Sequence, residues 1–267
     1  MPDGAALRVG TLNLASGRGA DGRALAPAAL AAAVAGFDVD VLAVQEVDVG
    51  QPRSGGTDQA AVLAGALGAG DWRHAATLTG TPSPFRGTWS AADPPGLRGP
   101  ERAPDGPAYG VALLVRRPAR DWAVLGLGSG RARLPLRAPD PATGRPRLWW
   151  VPDEPRVAIA ACLDGLTVVA THLSFSPPTA VRQLRRLRRW VTSLPGPVVV
   201  AGDLNLPGGL PARLLGATAL VREASFPAHG PRLQLDHLLA LGRVTARDAA
   251  AHRLGVGDHR ALTVTVG

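Results

Sequence analysis

The sequence predicts a single mixed α/β domain in which strands dominate, and three observations lead there. A chain of 267 residues with 46% hydrophobic content can bury a large core, and two-sheet domains of this length commonly fold as one unit. Short apolar runs that read as strands outnumber the helical patterns and alternate with them, without a repeat of about twenty to fifty residues. The last run sets Leu262, Val264 and Val266 against Thr263 and Thr265, the period-two pattern of a half-buried strand. The whole chain, 1–267, is therefore read as one domain.

In chain order, strands are expected over 7–14, 39–45, 109–116, 157–163, 167–171, 198–201, 234–239 and 261–266. Helices are expected over 27–35, 58–67 and 179–194. The third places Leu184, Leu187, Val191 and Leu194 at the three-and-four spacing of a buried stripe. It also carries Arg182, Arg185, Arg186, Arg188 and Arg189. Those arginines would track a polyphosphate if they bordered an active site, but charge runs more often form a solvated helix face. The stretches 82–107 and 126–155 are rich in Pro, Gly and Arg and lack periodicity. Both read as long loops, which we expect at the mouth of the site.

A formal charge of +8 is the balance of a nucleic-acid binder. Every basic residue is arginine, however, with Ala, Gly and Pro abundant and Ile159 the sole isoleucine. A coding bias would give the same balance, so charge alone does not choose a partner. Cys162 is the one cysteine, which excludes an internal disulfide and a cysteine-cluster metal site. The first residues lack a basic segment followed by an apolar run, and no stretch approaches a membrane span. The expected setting is cytoplasmic, with no obligate protein partner evident.

Polar residues interrupt or follow the apolar runs at regular places: Asn13 in TLNLASG, Glu46 in LAVQEV, His172 in VVATHLS, Asp203 and Asn205 in VVVAGDLN, Asp236 in LQLDHLL, and Asp258 with His259 in GDHRAL. Strand ends hand the chain to loops, so side chains there can converge on one cleft. Taken singly, Asn13 reads as a turn residue, and Asp203 with Asn205 as a helix cap. Glu46 is harder to explain structurally, because an acid ending a buried strand needs a partner or a metal. Carboxylates, amides and histidines together suit phosphoester hydrolysis, which needs a hard cation, an activated water and donors for the phosphoryl oxygens.

The ordered series TLNLASG, QEV, YG, EPR, THLS, GDLN, LDH and DH resembles the endonuclease/exonuclease/phosphatase superfamily over nearly the whole chain. That resemblance implies a four-layer α/β/β/α sandwich with two mixed β-sheets packed face to face. It further implies a phosphoesterase dependent on Mg²⁺ or Mn²⁺ that acts by in-line attack of an activated water. Residue by residue, it makes Glu46 the metal-binding glutamate, Asn13 the amide beside it and Asp258 a further carboxylate near the metal. Asp203 would orient or deprotonate the water, Asn205 would contact the phosphoryl oxygen from the same side of an extended segment, and His172 would donate to the phosphate. His259 would be the catalytic histidine with Asp236 as its carboxylate partner, while Tyr109 and Arg156 would contact substrate.

The substrate class favoured by this reading is a phosphodiester, including nucleic acid, with a lipid or inositol-phosphate headgroup as the alternative. A non-catalytic nucleic-acid or phosphate binding module on the same fold is the rival of another class. A serine hydrolase is excluded by the lack of a G-x-S-x-G element. His237 should face away from Asp236 and serve packing. Of Trp149 and Trp150, one is expected in the core and one along a loop, where an aromatic ring would also be free to stack on a base.

Overall fold

The computed structural model describes residues 6–82, 89–131, 133–140 and 143–267. Its first half contains β1 (Leu7–Asn13), α1 (Pro27–Val34), β2 (Val41–Val49), α2 (Gln59–Leu67), β3 (Asp71–Gly80), β4 (Trp89–Ala91), β5 (Leu97–Arg98) and β6 (Ala108–Val115). Then follow β7 (Asp121–Gly128), β8 (Arg133–Pro139), β9 (Pro146–Pro152), β10 (Arg156–Cys162), β11 (Thr167–His172) and α3 (Pro177–Val191). The chain closes with β12 (Val198–Asp203), α4 (Leu210–Leu215), β13 (Thr218–Ala219), β14 (Asp236–Leu241), β15 (Ala246–His252) and β16 (Ala261–Val266).

The strands form two mixed sheets. One runs β15-β16-β1-β2-β6-β3-β4, with β5 also on β3; the other runs β13-β14-β12-β11-β10-β7. Alternation along each strand sends one set of side chains between the sheets and the other outward. Val9, Val41, Val111, Ile159, Val168, Val199, Leu262 and Val264 meet in the inter-sheet core. Leu12, Leu42, Val44 and Ala112 face outward under Leu30 and Val34 of α1 and Leu63 of α2. On the other side, Leu184, Leu187 and Val191 of α3 cover Val169, Val200 and Leu239. Each fully buried aliphatic side chain contributes about 1.5–3 kcal/mol by leaving water. The result is a four-layer α/β/β/α sandwich.

Helix ends follow local chemistry. Asp58 caps α2 by accepting the Ala61 N–H, and Gly68 ends it in a left-handed turn. The arginines of α3 lie on its exposed side, away from the packed stripe, and Arg182 bonds the Ser129 carbonyl. They form a solvated face.

Two expectations need correction. The stretch 126–155 is not a loop: β7 ends within it, and β8 and β9 pair in register from Arg133↔Pro152 to Pro139↔Pro146 as a separate hairpin. Proline weighs against strands in a sequence reading, yet a two-stranded ribbon has free edges where its missing N–H costs nothing. The hairpin leaves the second sheet at Gly128↔Arg156. Neither Trp149 nor Trp150 enters the core, since both lie on β9; Arg147 sits over the Trp149 ring at 4.6 Å, and Trp150 is 57% exposed. The stretch 82–107 contains the short strands β4 and β5 at the edge of the first sheet, and its residues 83–88 lie outside the described residues.

Candidate active site

β1 and β2 run parallel, as do β11 and β12, so their carboxyl ends open at one edge of the sandwich. Asn13 ends β1, His172 ends β11 and Asp203 ends β12. Register sets His172 beside Asp203, and Asp203 beside Asp236 at the start of antiparallel β14. Arg156 opens β10 and Tyr109 lies near the start of β6 at the same edge. Crevices outside the carboxyl ends of parallel strands are the usual ligand sites of such sheets.

Glu46 reaches the cleft by a bulge. The β2–β6 ladder slips between Val44 and Val47, and Glu46 takes φ 56°, which turns its side chain toward Asn13 instead of following the pleat. The preceding Gln45 accepts from the Thr11 hydroxyl at 3.1 Å and fastens β2 to β1. Asn13 then links the sheets, its Nδ2 donating to Glu46 Oε1 at 3.2 Å and to Asp203 Oδ2 at 3.0 Å. Its Oδ1 accepts from the Ala15 N–H.

Asn205 joins the group by a turn. It sits beyond the end of β12 with φ 51°, and its N–H donates to Asp203 Oδ1 at 2.9 Å. The expected strand alternation of Asp203 and Asn205 is thus replaced by a side-chain-closed turn, in which asparagine tolerates the left-handed conformation. Its Nδ2 donates to the Leu173 carbonyl at 2.9 Å and lies 3.2 Å from His172 Nε2.

Two histidines flank Asp203. His172 Nε2 is 3.6 Å and His259 Nε2 3.9 Å from Asp203 Oδ2. Their protonation differs. Burial, then the charges of Arg156 and His259, hold His172 well below the usual imidazole range, so it is neutral. Burial would lower His259 too, but the hydrogen bond that its Nδ1–H donates to Asp236 Oδ2 at 2.7 Å and the charges of Asp236, Asp203 and Asp258 outweigh it. Its pKa rises to about 9, giving an imidazolium at neutral pH. Burial and the Asp236 charge raise Asp203 above the carboxylate range, with His259, Asn205 and Asn13 acting against them. Asp258 is exposed, 4.0 Å from His259 Nε2.

Arg156 is 5% exposed, with Nη1 3.4 Å from His172 Nδ1 and 3.5 Å from Glu154 Oε2. Tyr109 is buried; burial raises its pKa well above 10, as do the charges of Glu46 and Glu154, and Arg53 covers its ring at 5.1 Å. All ten residues singled out in the sequence thus lie at one edge of the sandwich. His237 faces away and bonds the Leu206 carbonyl at 3.0 Å, a packing role.

The sequence reading missed Glu154 and Phe226. Glu154 stands in the EPR segment already noted for Arg156, so its charge was a usable signal. Phe226, whose ring is 4.8 Å from that of His259, is an apolar loop residue before proline and carried none.

Among the described residues, donor atoms of Asp203, Asp236 and His259 lie within 4.8 Å of one another. The short Asp236–His259 bond makes this a hydrogen-bonded pair next to a carboxylate. Burial raises the Glu46 pKa; the Asn13 hydrogen bond lowers it, the Asp258 charge raises it, and the Arg156 charge lowers it against a further rise from Glu154.

The family model described as "Endonuclease/Exonuclease/phosphatase family" matches residues 10–259. No curated protein matches the sequence. Among solved structures, an endonuclease/exonuclease/phosphatase from Beutenbergia cavernae DSM 12333 is similar at TM-score 0.64 and 20% identity, covering 98% of this chain and 71% of that one. D. rerio TDP2 complexed with single strand DNA product is similar at TM-score 0.58 and 13% identity, covering 99% and 100%. Sphingomyelinase C from Streptomyces griseocarneus is similar at TM-score 0.52 and 15% identity, covering 98% and 99%.

Proposed function

The chain belongs to the endonuclease/exonuclease/phosphatase family of phosphoester hydrolases, and from that premise we propose that it is a divalent-metal-dependent phosphodiesterase or nuclease. The observation that carries this reading is the convergence on Asp203 Oδ2 of the Asn13 amide at 3.0 Å, His172 at 3.6 Å and His259 at 3.9 Å. One phosphoryl group placed there would meet a base, two imidazoles and an amide at once.

Glu46, Asn13 and Asp258 would hold Mg²⁺ or Mn²⁺, whose preference for oxygen ligands suits this donor set. A cation there would draw charge from a phosphoryl oxygen and ease ionisation of a bound water. The chain's own groups do the rest. Asp203, its pKa raised by burial, accepts the proton of the attacking water in line with the scissile bond. His259, held cationic by Asp236, faces the charge that develops on the phosphoryl oxygens, and Asn205 and neutral His172 add donors. Arg156, beside His172, and Tyr109 position the phosphate.

The test is turnover of bis(p-nitrophenyl) phosphate and plasmid DNA by purified protein, with EDTA and with Mg²⁺ or Mn²⁺ restored. Activity abolished by chelator and recovered with the metal is expected. Undiminished turnover in EDTA would exclude the metal-dependent reading, and no turnover of any phosphoester with metal present would exclude the activity itself.

A further inference from the structure

A cavity of about 450 Å³ adjoins the cleft on the His259 side, within the size range of small-ligand sites. Its walls are built from residues that shape the catalytic group. Ala15 holds Asn13 through its N–H, Phe226 packs on His259, and Asp258 immediately precedes His259; all three line the cavity. Gly19, Gly22, Gly255 and Gly257 also line it.

Its cationic side chains are Arg18 and Arg253, with His229 also in the lining and Asp258 at the edge next to the candidate site. Arg18 and Arg253 are exposed and, among the described residues, pair with no carboxylate. That sets them apart from Arg53, Arg73, Arg98 and Arg116, each bound to an aspartate at 2.7–2.9 Å. Two unneutralised guanidiniums facing one cavity beside a phosphoester site are suited to a phosphate, which a planar fork binds in bidentate fashion.

We propose that this cavity receives a second phosphate of the substrate, attached on the His259 side of the phosphate that is hydrolysed. The inference rests on the hydrolase reading for its context and narrows the substrate to molecules with at least two phosphates. A nucleic-acid strand and a polyphosphorylated small molecule share that chemistry.

Binding tests it without relying on turnover. Isothermal calorimetry would compare thymidine 3′,5′-bisphosphate with thymidine 5′-monophosphate, and an inositol bisphosphate with an inositol monophosphate, on wild-type protein. The expected result is at least ~10-fold tighter binding of the doubly phosphorylated member in one pair; which pair responds identifies the source. That preference should fall to within about twofold in Arg18→Ala/Arg253→Ala, and persist in Arg186→Ala/Arg189→Ala, which removes the same charge from α3. The single variants Arg18→Ala and Arg253→Ala should each lose part of it. No preference in either pair, or equal loss in the α3 variant, overturns the proposal. Hydrolysis of bis(p-nitrophenyl) phosphate, which lacks a second anion, should be unchanged in Arg18→Ala/Arg253→Ala; its absence in wild type would fault the hydrolase reading alone.

Discussion

Replacing Asp236 by asparagine keeps the shape of the side chain and removes its charge, isolating what holds His259 protonated. The rise of that imidazole from 6.5 to about 9 corresponds to about 3 kcal/mol in favour of the charged form. Burial acts in the opposite direction, so the carboxylates together supply more than this, and Asp236 ranks first among them through its hydrogen bond and its charge. Asp236→Asn should therefore bring His259 back to 6.5 or below. Asp236 Oδ1 has no hydrogen-bond partner among the described residues, so an amide NH₂ there would be buried unsatisfied or would turn toward His259 Nδ1. Either outcome adds a cost of about 1–3 kcal/mol. Imidazole resonances followed by NMR across pH 5–10 read the first effect, and kcat on bis(p-nitrophenyl) phosphate with Mn²⁺ should fall on the order of 10²–10⁴-fold. A folded Asp236→Asn protein whose His259 still titrates near 9 would refute the assignment of Asp236 as the group that charges it.

Glu46→Gln should cancel the rise in melting temperature that Mn²⁺ gives the wild type, because the cation no longer binds the folded state selectively; an unchanged rise in differential scanning fluorimetry would move the cation elsewhere. His259 also predicts a pH dependence of stability. Its folded pKa, about 9, lies above its ordinary 6.5, so the stabilisation is complete below about 6.5 and is lost as pH climbs toward 9. Urea midpoints of metal-free protein should decline across that window, and Asp236→Asn should flatten the decline; a midpoint that rises there would contradict the sign. Gly202→Ala should destabilise by roughly 3 kcal/mol or more, since a methyl there collides with the Thr171 carbonyl across the β11–β12 ladder. A urea midpoint equal to wild type would show that the ladder yields more easily than its geometry indicates.

The sheets were legible where both faces are buried. The run 198–201 and the strand at 261–266 are apolar or strictly alternating, and burial on one or both sides demands that pattern. β3 escaped notice because DWRHAATLTG mixes charged and small residues, and its burial comes from β6 and β4 beside it instead of from its own hydrophobicity. β15 is mostly exposed and carries little apolar signal. The candidate site was legible as an ordered series of polar residues that break or follow apolar runs, although Asn13, Asp203 and Asn205 taken singly read as turn or cap residues. Its exact aim was not: the bulge at Glu46 and the turn at Asn205 are backbone events set by the neighbouring strands, and neither residue type announces them.

Glu46 and Asn205 adopt backbone angles, φ 56° and 51°, that a residue with a side chain enters only at a cost of order 1 kcal/mol or more. Glycine would occupy both without penalty. Heat tolerance and turnover are therefore set against each other at two peptide units: a variant relaxed there would be hardier, and would have lost the carboxylate or the amide that the rest of the scaffold exists to point.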